Sequence, residues 1–309
     1  MQRPAGTLGP RSSAQERPAP MRILVTGAAG MLGLDVLRAG ARAGHELVGV
    51  DLPELDITDP DAVAQTYVQV APEAVLNCAA WTDVDGAQTH VPQALAVNAD
   101  GAGNLARGAA AVGIPMVHVS TDYVFSGEAC VDASGARRPY VESDETGPRS
   151  VYGQTKLAGE DQVLRASRRH VVARGSWLFG VGGANFAATM LRLASERDAV
   201  QVVSDQVGCP TWTGHLAPAL LGLIERGVAG LVHLAGAGYV SWNEYAQEVF
   251  RQAEVACRVD DASTADMPRP APRPAWSALE SEREDVLPLP PWQDGVAGYL
   301  AARAGMMRP

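Results

Sequence analysis

The sequence lacks any apolar run of the roughly 18–20 residues that a membrane-spanning helix requires, although 47% of its 309 residues are hydrophobic. Residues 1–20 are rich in Pro, Arg, Ser and Gly and contain no apolar segment of the kind found in a signal peptide. We therefore interpret residues 1–20 as a disordered leader, with Met21 as a candidate functional start. Together these absences predict a cytoplasmic protein that has no membrane partner.

Cysteine and positive charge are also scarce. The four cysteines are spread through the chain without a C-x-x-C pair, which predicts neither a metal cluster nor a disulfide framework, as in a reducing cytosol. Asp and Glu number 35 against 25 Lys and Arg, which gives a net charge of -10. This balance argues against nucleic acid or an anionic membrane as the main partner. An anionic small molecule stays open, because a few local N–H donors can bind phosphate whatever the total charge.

Short apolar strands alternate with helical stretches in the first half of the chain. Asp59 and Pro60 offer an N-cap and a proline at the first position of one of these helices. Alternating strands and helices predict an α/β fold, a doubly wound parallel sheet of the Rossmann type with right-handed crossovers. The predicted strands cover residues 22–26, 46–50, 74–78, 115–120 and 170–174.

After residue 175 the alternation becomes irregular. Ser241 and Glu244 have the S-x-x-E spacing of a capping box, which predicts a helix that begins there. We predict a first domain over residues 21–175 and a smaller, mixed α/β lobe over residues 176–309, with some return of the chain to the first domain. The other elements predicted in the lobe are helices over 185–195, 215–226 and 292–304 and strands over 200–203 and 231–234.

Three glycines, Gly27, Gly30 and Gly33, follow the first predicted strand and open the helix after it. They permit a tight turn and a close approach of the backbone to a pyrophosphate, which the helix N-terminus then faces. A structural turn alone would explain a G-x-x-G-x-x-G spacing, but Asp51 at the end of the second strand favours a dinucleotide site. Asp51 can accept from a ribose 2′-hydroxyl, and no arginine directly follows it for a 2′-phosphate, which favours NADH. The first domain is therefore predicted to bind NAD(P), and the lobe to bind the substrate.

Tyr152 and Lys156 stand four residues apart in a segment predicted to be helical, just after a Pro/Gly-rich loop. Residues at this spacing lie on one face of a helix. A free tyrosine has a pKa near ~10, which a neighbouring cation lowers, so Lys156 and a cofactor's positive ring would make the phenol a better proton donor. The alternative is an ordinary exposed helix start. Thr121, at the end of the fourth strand, could stabilise a carbonyl oxygen that gains negative charge, or it could simply cap the strand.

Several motifs in order along the chain resemble those of extended short-chain dehydrogenase/reductases and, more narrowly, those of the dTDP-4-dehydrorhamnose reductase family. The resemblance runs from about Met21 to beyond Ser277, nearly the whole chain. The motifs are Gly27-x-x-Gly30-x-x-Gly33, Leu55-Asp56-Ile57-Thr58, Asn77-Cys78-Ala79-Ala80, Trp81-Thr82-x-Val84-Asp85, Asn98, Ser120-Thr121-Asp122-Tyr123-Val124-Phe125, Tyr152-Gly153-x-x-Lys156, Arg174-Gly175-Ser176-Trp177, Asp205-Gln206-x-Gly208-x-Pro210-Thr211 and Arg273-Pro274-x-x-Ser277.

The resemblance implies reduction of the C4 ketone of a dTDP-4-keto-6-deoxysugar by NADPH or NADH, for the biosynthesis of a cell-surface polysaccharide or an antibiotic. It makes Tyr152 the proton donor to the alkoxide and Thr121 a hydrogen-bond partner of the same oxygen. Lys156 would hold the nicotinamide ribose and lower the pKa of Tyr152. The predicted cofactor-binding residues are Gly27, Gly30, Met31, Leu32, Gly33, Asp51, Asp56, Ile57, Ala79, Ala80, Asn98, Tyr152 and Lys156. The predicted substrate-binding residues are Thr121, Asp122, Trp177 and Asn185.

Some of these residues also have a plainer interpretation. Asp56 and Ile57 either flank the adenine or form a turn, Trp177 could be a core residue, and Asn185 could cap its helix. Some family members bind a magnesium ion between subunits, but we identify no carboxylate ligands for it here and predict no metal site. A homodimer stays an open expectation.

Three departures from the family pattern bear on the identity of the sugar. The loop over residues 130–138 looks longer than usual and is expected beside the sugar pocket. Phe179 stands where the family often has tyrosine, and Trp276 where a polar residue is usual. Since dTDP-dihydrostreptose synthases reduce similar sugars with the same machinery, a reductase of that type is an alternative.

Two further alternatives share the same fold. One is a nucleotide-sugar epimerase or dehydratase with bound NAD. Many dehydratases add acid and base residues beside the threonine, whereas no glutamate follows Asp122, which argues against a dehydratase. The other is a non-catalytic regulatory subunit, against which the intact Thr121, Tyr152 and Lys156 argue.

Overall fold

A computed structural model of the chain describes residues 19–306. The predicted leader, residues 1–20, therefore lies almost entirely outside the described residues. The strands are β1 (Arg22–Thr26), β2 (Glu46–Val50), β3 (Ala74–Asn77), β4 (Met116–Thr121), β5 (Cys130–Val131), β6 (Arg137–Arg138), β7 (Val171–Gly175), β8 (Leu178–Phe179), β9 (Ala199–Val203), β10 (Val207–Gly208), β11 (Thr211–Trp212), β12 (Gly230–His233), β13 (Val240–Ser241) and β14 (Arg258–Ala262).

Helices cover the sheet and build most of the second half of the chain. A π-helical turn, Ala96–Gly101, joins the third helix to the fourth. The α-helices are α1 (Met31–Ala43), α2 (Pro60–Val70), α3 (Val91–Leu95), α4 (Ala102–Ala111), α5 (Val151–Ala166), α6 (Phe186–Ala194), α7 (Thr213–Glu225), α8 (Trp242–Gln252) and α9 (Trp292–Met306).

The central sheet is parallel throughout and has the strand order β12-β7-β4-β3-β1-β2. Its inner strands are short β-branched and apolar runs with fully buried side chains, such as Ile23, Val25 and Val75, because helices cover both faces. The predicted α/β fold with a doubly wound parallel sheet is therefore confirmed. The strand order reverses between β1 and β3, and ligands of open α/β sheets bind at such a point, beyond the carboxyl ends of the strands.

Two predicted helix starts are confirmed in atomic detail. The Asp59 side chain accepts from the N–H groups of Asp61 and Ala62, with Pro60 at the first helical position of α2. Ser241 and Glu244 form a reciprocal capping box at the start of α8. In both cases the side chain satisfies N–H groups that have no partner within the helix.

Residues from both halves of the chain build the large sheet. β12 forms its edge strand beside β7, and α7 packs against α1 through Leu216, Leu220 and Ile224. The remaining elements of the second half enclose a separate aromatic core around Tyr245 and Tyr299. Of the strands in this part that were not predicted, β14 is the longest, and it pairs with β9. The predicted boundary at residue 175 stays a prediction.

Two classes of feature are not found in the described part of the chain. Among the helices between residues 19 and 306, none combines the length and the apolarity that a membrane crossing needs. Within the same residues, no group of three or more His, Cys, Asp and Glu side chains is arranged to hold a metal ion.

Candidate active site

A cavity of about 770 Å³ opens beyond the carboxyl ends of β1, β3, β4 and β7. It lies where the strand order of the sheet reverses, and the chain segments after the strands line it. The predicted site residues that line it are Gly27, Gly30, Met31, Leu32, Gly33, Asp51, Asp56, Ile57, Ala79, Ala80, Thr121, Asp122, Tyr152, Lys156 and Trp177. Residues that were not among the predicted site residues also line it, such as Leu52, Cys78, Thr82 and Trp242.

The glycine loop leaves no room for side chains between β1 and β3. Gly27 has a φ of 68°, in the left-handed region, and a Cβ there would lie 2.5 Å from the backbone N of Ala79. A Cβ on Gly33 would lie 2.2 Å from the carbonyl oxygen of Gly27. The loop therefore stays close to the backbone that follows β3, and the start of α1, with its free N–H groups, lines the cavity. This cradle fits the pyrophosphate of a dinucleotide.

Acidic and apolar residues line the cavity beside β2. The Asp51 carboxylate accepts from the backbone N–H groups of Ala29 at 3.0 Å and Leu52 at 2.9 Å, which holds it next to the glycine loop. Ile57 is buried nearby, and Asp56 accepts from Thr58 in a local turn. Among the described residues that line the cavity, Lys156 is the only Lys or Arg, and it lies on α5 rather than beside β2. The edge beside Asp51 therefore suits an uncharged ribose better than a ribose phosphate.

Thr121 ends β4, Asp122 follows it directly, and both side chains are buried. The Thr121 hydroxyl donates to the Asp122 carboxylate at 3.1 Å and accepts from the N–H of Tyr123 at 3.2 Å. Ser176, which follows β7, donates to the other carboxylate oxygen of Asp122 at 3.1 Å. Burial raises the pKa of Asp122 to about 6, although hydrogen bonds from Ser277, Ser176 and Thr121 oppose this effect. Asp122 thus orients the hydroxyl that was predicted to contact the substrate.

Tyr152 and Lys156 lie on one face of α5, as their spacing predicts, and both line the cavity. Ser150 caps the helix by accepting from the N–H of Gly153. The helix approaches the turn after β4 so closely that a Cβ on Gly153 would lie only 2.2 Å from the carbonyl oxygen of Tyr123, and only glycine fits there. The Lys156 ammonium donates to the carbonyl oxygen of Val119 at 2.7 Å and is almost fully buried.

The pKa of Tyr152 differs from its sequence-based expectation. Burial raises the pKa of this phenol to about 12; a hydrogen bond with Thr121 lowers it, and the charge of Asp122 raises it further. The expectation was that Lys156 and the positive ring of a bound cofactor lower this pKa; in the chain alone, burial is the largest influence on it. Burial also lowers the pKa of Lys156 to about 8, against the opposing charge of Glu160.

Two tryptophans from the second half of the chain form an aromatic wall of the cavity. Trp177 and Trp242 stack with ring centroids 3.5 Å apart and planes 5° apart. A Cβ on Gly208 would lie 2.4 Å from the Trp177 ring, so Gly208 makes room for the stack. Sequence reasoning identified Trp177 but missed Trp242. The only signal for Trp242 was its position directly after the predicted N-cap of α8, which does not indicate a ligand.

Asn98 and Asn185 do not line the cavity. Asn98 is fully buried in the π-helical turn, where its amide accepts from the N–H of Trp81 and donates to the hydroxyl of Thr155. It therefore ties the segment after Ala80 to α5. Asn185 caps α6 by accepting from the N–H of Ala188, and its amide group donates to carbonyl oxygens of the preceding loop. The plainer interpretation of Asn185 as a helix cap accounts for all of these contacts.

The loop over residues 130–138 does not reach the cavity, contrary to the expectation that it borders the sugar pocket. It forms the β5–β6 hairpin, and no residue of it lines the cavity. Arg137 lies over the ring of Trp276, and the Trp276 indole N–H donates to the carbonyl oxygen of Arg138. The hairpin and the unusual tryptophan are therefore partners. Phe179 is likewise a core residue, packed near Tyr245.

Comparisons with known proteins agree with this geometry. The family model described as the RmlD substrate binding domain matches residues 21–304. A dTDP-4-dehydrorhamnose reductase of Mycobacterium tuberculosis is 44% identical over 290 residues, which cover 92% of this chain and 93% of that protein. A probable dTDP-4,6-dihydroxy-2-methyloxan-3-one 4-ketoreductase of Streptomyces antibioticus is 40% identical over 89% of this chain and 93% of its own length.

A solved structure is similar over a comparable extent. The dTDP-4-dehydrorhamnose reductase of Bacillus anthracis, crystallised in complex with NADP, is 33% identical. Its TM-score with this chain is 0.86, and the match covers 92% of this chain and 100% of that one. The resemblance noted in the motifs is thus confirmed over nearly the whole sequence. The chain belongs to the dTDP-4-dehydrorhamnose reductase family.

Proposed function

We propose that this chain is a reductase that uses NADPH or NADH to convert the C4 ketone of a dTDP-4-keto-6-deoxysugar into an alcohol. The observation that carries the proposal is the cavity in which the glycine loop, Thr121, Tyr152 and Lys156 face the same space. Family membership supports the same reaction, because relatives that match over nearly their full length are named as reductases of dTDP-linked keto sugars.

The cofactor half of the proposal rests on the glycine loop and on Asp51. The loop fits a pyrophosphate, and Asp51 can accept a hydrogen bond from a ribose hydroxyl. The NADP complex of the Bacillus anthracis relative supports binding of the phosphorylated cofactor. However, Lys156 is the only Lys or Arg among the described lining residues, and it lies on α5 and donates to the carbonyl oxygen of Val119 on β4. We therefore expect this chain to accept NADPH but to prefer NADH.

The chemistry follows from the lining residues at the end of β4 and on α5. A reduced nicotinamide bound in the cavity supplies the hydride that reduces the ketone carbon. Tyr152 donates its phenolic proton to the oxygen that gains negative charge. Asp122 holds the Thr121 hydroxyl, which hydrogen-bonds to the same oxygen once it turns from the carboxylate. Lys156 keeps its charge below about pH 8 and thereby stabilises the phenolate that the transfer leaves behind.

The substrate half of the proposal concerns the stacked tryptophans. Trp177 and Trp242 present an aromatic surface to the cavity, which suits the ring of a sugar or a thymine base. Both residues follow residue 175, which supports a division of labour between a cofactor-binding part over residues 21–175 and a substrate-binding part over 176–309. The Streptomyces antibioticus relative, named as a probable 4-ketoreductase of another dTDP-linked sugar, supports a substrate other than the rhamnose precursor as an alternative.

Location and assembly belong to the same proposal. We propose a cytoplasmic enzyme, because its four cysteines are free and none lies in a pair. We also propose a homodimer, since Val91 and Leu95 on α3 are apolar side chains left 43% and 41% exposed. Size-exclusion chromatography with light scattering tests the dimer, and a monomer at micromolar concentration would contradict it.

The decisive experiment measures turnover directly. The chain is incubated with dTDP-4-keto-6-deoxy-L-mannose and NADH or NADPH, and the absorbance of the reduced nicotinamide is followed. Tyr152→Phe should reduce kcat by at least a hundredfold, since general acid catalysis contributes about 10²–10⁴-fold. Tyr239→Phe is the matched control, because Tyr239 is 47% exposed and does not line the cavity.

Two results would favour the alternative functions instead. A tightly held NAD that survives gel filtration, without consumption of added NADH, would favour an epimerase or a dehydratase. Unchanged behaviour of Tyr152→Phe in every assay would favour a regulatory subunit. A dTDP-dihydrostreptose synthase-type enzyme would consume cofactor only with the corresponding streptose precursor.

A further inference from the structure

His118 is a fully buried imidazole that has no role in the proposed reaction. It lies on β4, does not line the cavity and sits directly behind Lys156. Its Nε2 is 3.3 Å from the Lys156 Nζ, and its Nδ1 is 3.0 Å from the amide nitrogen of Asn77. A buried histidine with a partner at each nitrogen has a defined tautomer, which its neighbours determine.

The orientation of the Asn77 side chain is fixed by a backbone group. The N–H of Ala79 can only donate, and it donates to the Asn77 Oδ1 at 2.9 Å. The Thr26 hydroxyl donates to the same oxygen at 2.7 Å. The Asn77 amide nitrogen, a donor only, must therefore be the atom that faces His118.

The amide determines which nitrogen of His118 carries hydrogen. Because Asn77 donates to Nδ1, that nitrogen is an acceptor and has no hydrogen. Burial, and secondarily the charge of Lys156, lower the pKa of His118 well below its usual value, so the ring is neutral. A neutral imidazole without hydrogen on Nδ1 carries it on Nε2. The Nε2–H group then points at the Lys156 amine.

An N–H donor aimed at an amine favours the neutral form of that amine. The neutral amine can accept the Nε2–H, whereas an ammonium has no lone pair and is repelled by it. Glu160, one turn along α5, opposes this effect, but it is itself paired with Arg174. The Cys78 thiol and the Tyr152 phenol complete the titratable groups that face the amine, and burial keeps both uncharged near neutral pH.

We propose that His118 is a positioning residue that presents Nε2–H to Lys156 and thereby favours the neutral lysine amine. His118 would act only through Lys156, since it does not line the cavity. The Val119 carbonyl oxygen accepts from either form of the amine and so keeps Nζ in place whatever its charge. The proposal concerns the protein alone and does not depend on the substrate proposed above.

The sequence offers a direct measurement, because Lys156 is the only lysine among the 309 residues. Incorporation of ¹³Cε-lysine therefore gives one NMR signal, which reports the titration of this amine without any assay of activity. A free lysine titrates with a midpoint of ~10.4, and we expect the midpoint of Lys156 to lie well below that value. In His118→Gln, whose side-chain carbonyl can accept from the ammonium, the midpoint should rise by about one pH unit.

A matched control uses a second buried histidine. His170 accepts from the N–H of Met116 and contacts the carbonyl oxygen of Ala106, at the other end of β4. His170→Gln should leave the midpoint of Lys156 unchanged. An unchanged or lower midpoint in His118→Gln would overturn the proposal, as would an equal rise in His170→Gln.

A second measurement needs no substitution that could disturb folding. In ¹⁵N-histidine-labelled protein, the His118 Nδ1 should have the chemical shift of a nitrogen without hydrogen and Nε2 that of an N–H. The reverse assignment would mean that Nε2 accepts from Lys156, and it would refute the proposal even if the variant failed to fold.

Discussion

The buried ion pair between Glu160 and Arg174 allows a quantitative prediction. The two side chains are only 3% and 4% exposed, and Arg174 donates to both carboxylate oxygens, the shortest bond being 2.7 Å. Ser120 donates to the same carboxylate at 2.5 Å, so the pair joins α5, β7 and β4 directly beneath the cavity. Substitution Arg174→Met would leave the carboxylate buried without its counter-charge.

The expected loss of stability is large for a single substitution. Breaking a buried pair from one side costs about 3–5 kcal/mol, which corresponds to a fall in Tm of roughly 5–15 °C for a chain of this size. The double variant Glu160→Leu/Arg174→Met removes both charges and should recover roughly 2 kcal/mol or more of that loss. Urea unfolding followed by circular dichroism measures the free energy of unfolding of each variant.

The control is an ion pair on the exposed face of the same helix. Arg165 and Asp161 on α5 are 81% and 62% exposed, so Arg165→Met should cost no more than about 1 kcal/mol. The interpretation would be refuted if Arg174→Met were no more harmful than Arg165→Met. It would also be refuted if the double variant were as unstable as the sum of its single substitutions.

Three further predictions concern the site. Gly27→Ala should weaken NADH binding by about tenfold or more in a fluorescence titration, because its Cβ would overlap the backbone of Cys78 and Ala79, just after β3. Gly44 also has a positive φ but has open space around it, so Gly44→Ala measures the effect of backbone strain without a clash. Since the pKa of Lys156 is lowered to about 8 and the charged form is required, kcat/KM should fall as the pH rises above about 8; a pH profile flat to 10 would contradict this. Asp51→Ala should reduce the preference of kcat/KM for NADH over NADPH by about tenfold, and an unchanged ratio would exclude a role for Asp51 in cofactor choice.

Much of the sheet could be predicted because its strands carry a strong local signal. β1 and β3 are buried on both faces and therefore have continuous apolar sequences, which set them apart from the helices between them. β14 escaped prediction because Arg258–Ala262 contains charged residues at three of its five positions and pairs only with β9, far away in sequence. Its structure is determined by a tertiary contact rather than by local preference.

The candidate site also contains residues with a local sequence signal and residues that only tertiary contacts bring together. Tyr152 and Lys156 have a spacing that a helix converts into a shared face, so the sequence sufficed to bring them together. The sequence carries no comparable signal for Trp242 or His118, whose neighbours Trp177 and Lys156 lie in other elements. The raised pKa of Tyr152 could not be predicted from the sequence either, because desolvation depends on all the residues that pack around the phenol.

The edge strand β12 constrains how the protein can be made and divided. Until residue 233 has left the ribosome, β7 has an unpaired edge and α1 lacks the apolar side chains of α7 that cover it. A nascent chain that ends near residue 175 would thus expose the unpaired edge of β7 for several seconds of translation, and an unpaired edge promotes aggregation. Proteolytic halves separated at that point should aggregate rather than fold independently, because α7 and β12, which complete the nucleotide-binding part, both follow Trp177 in the sequence.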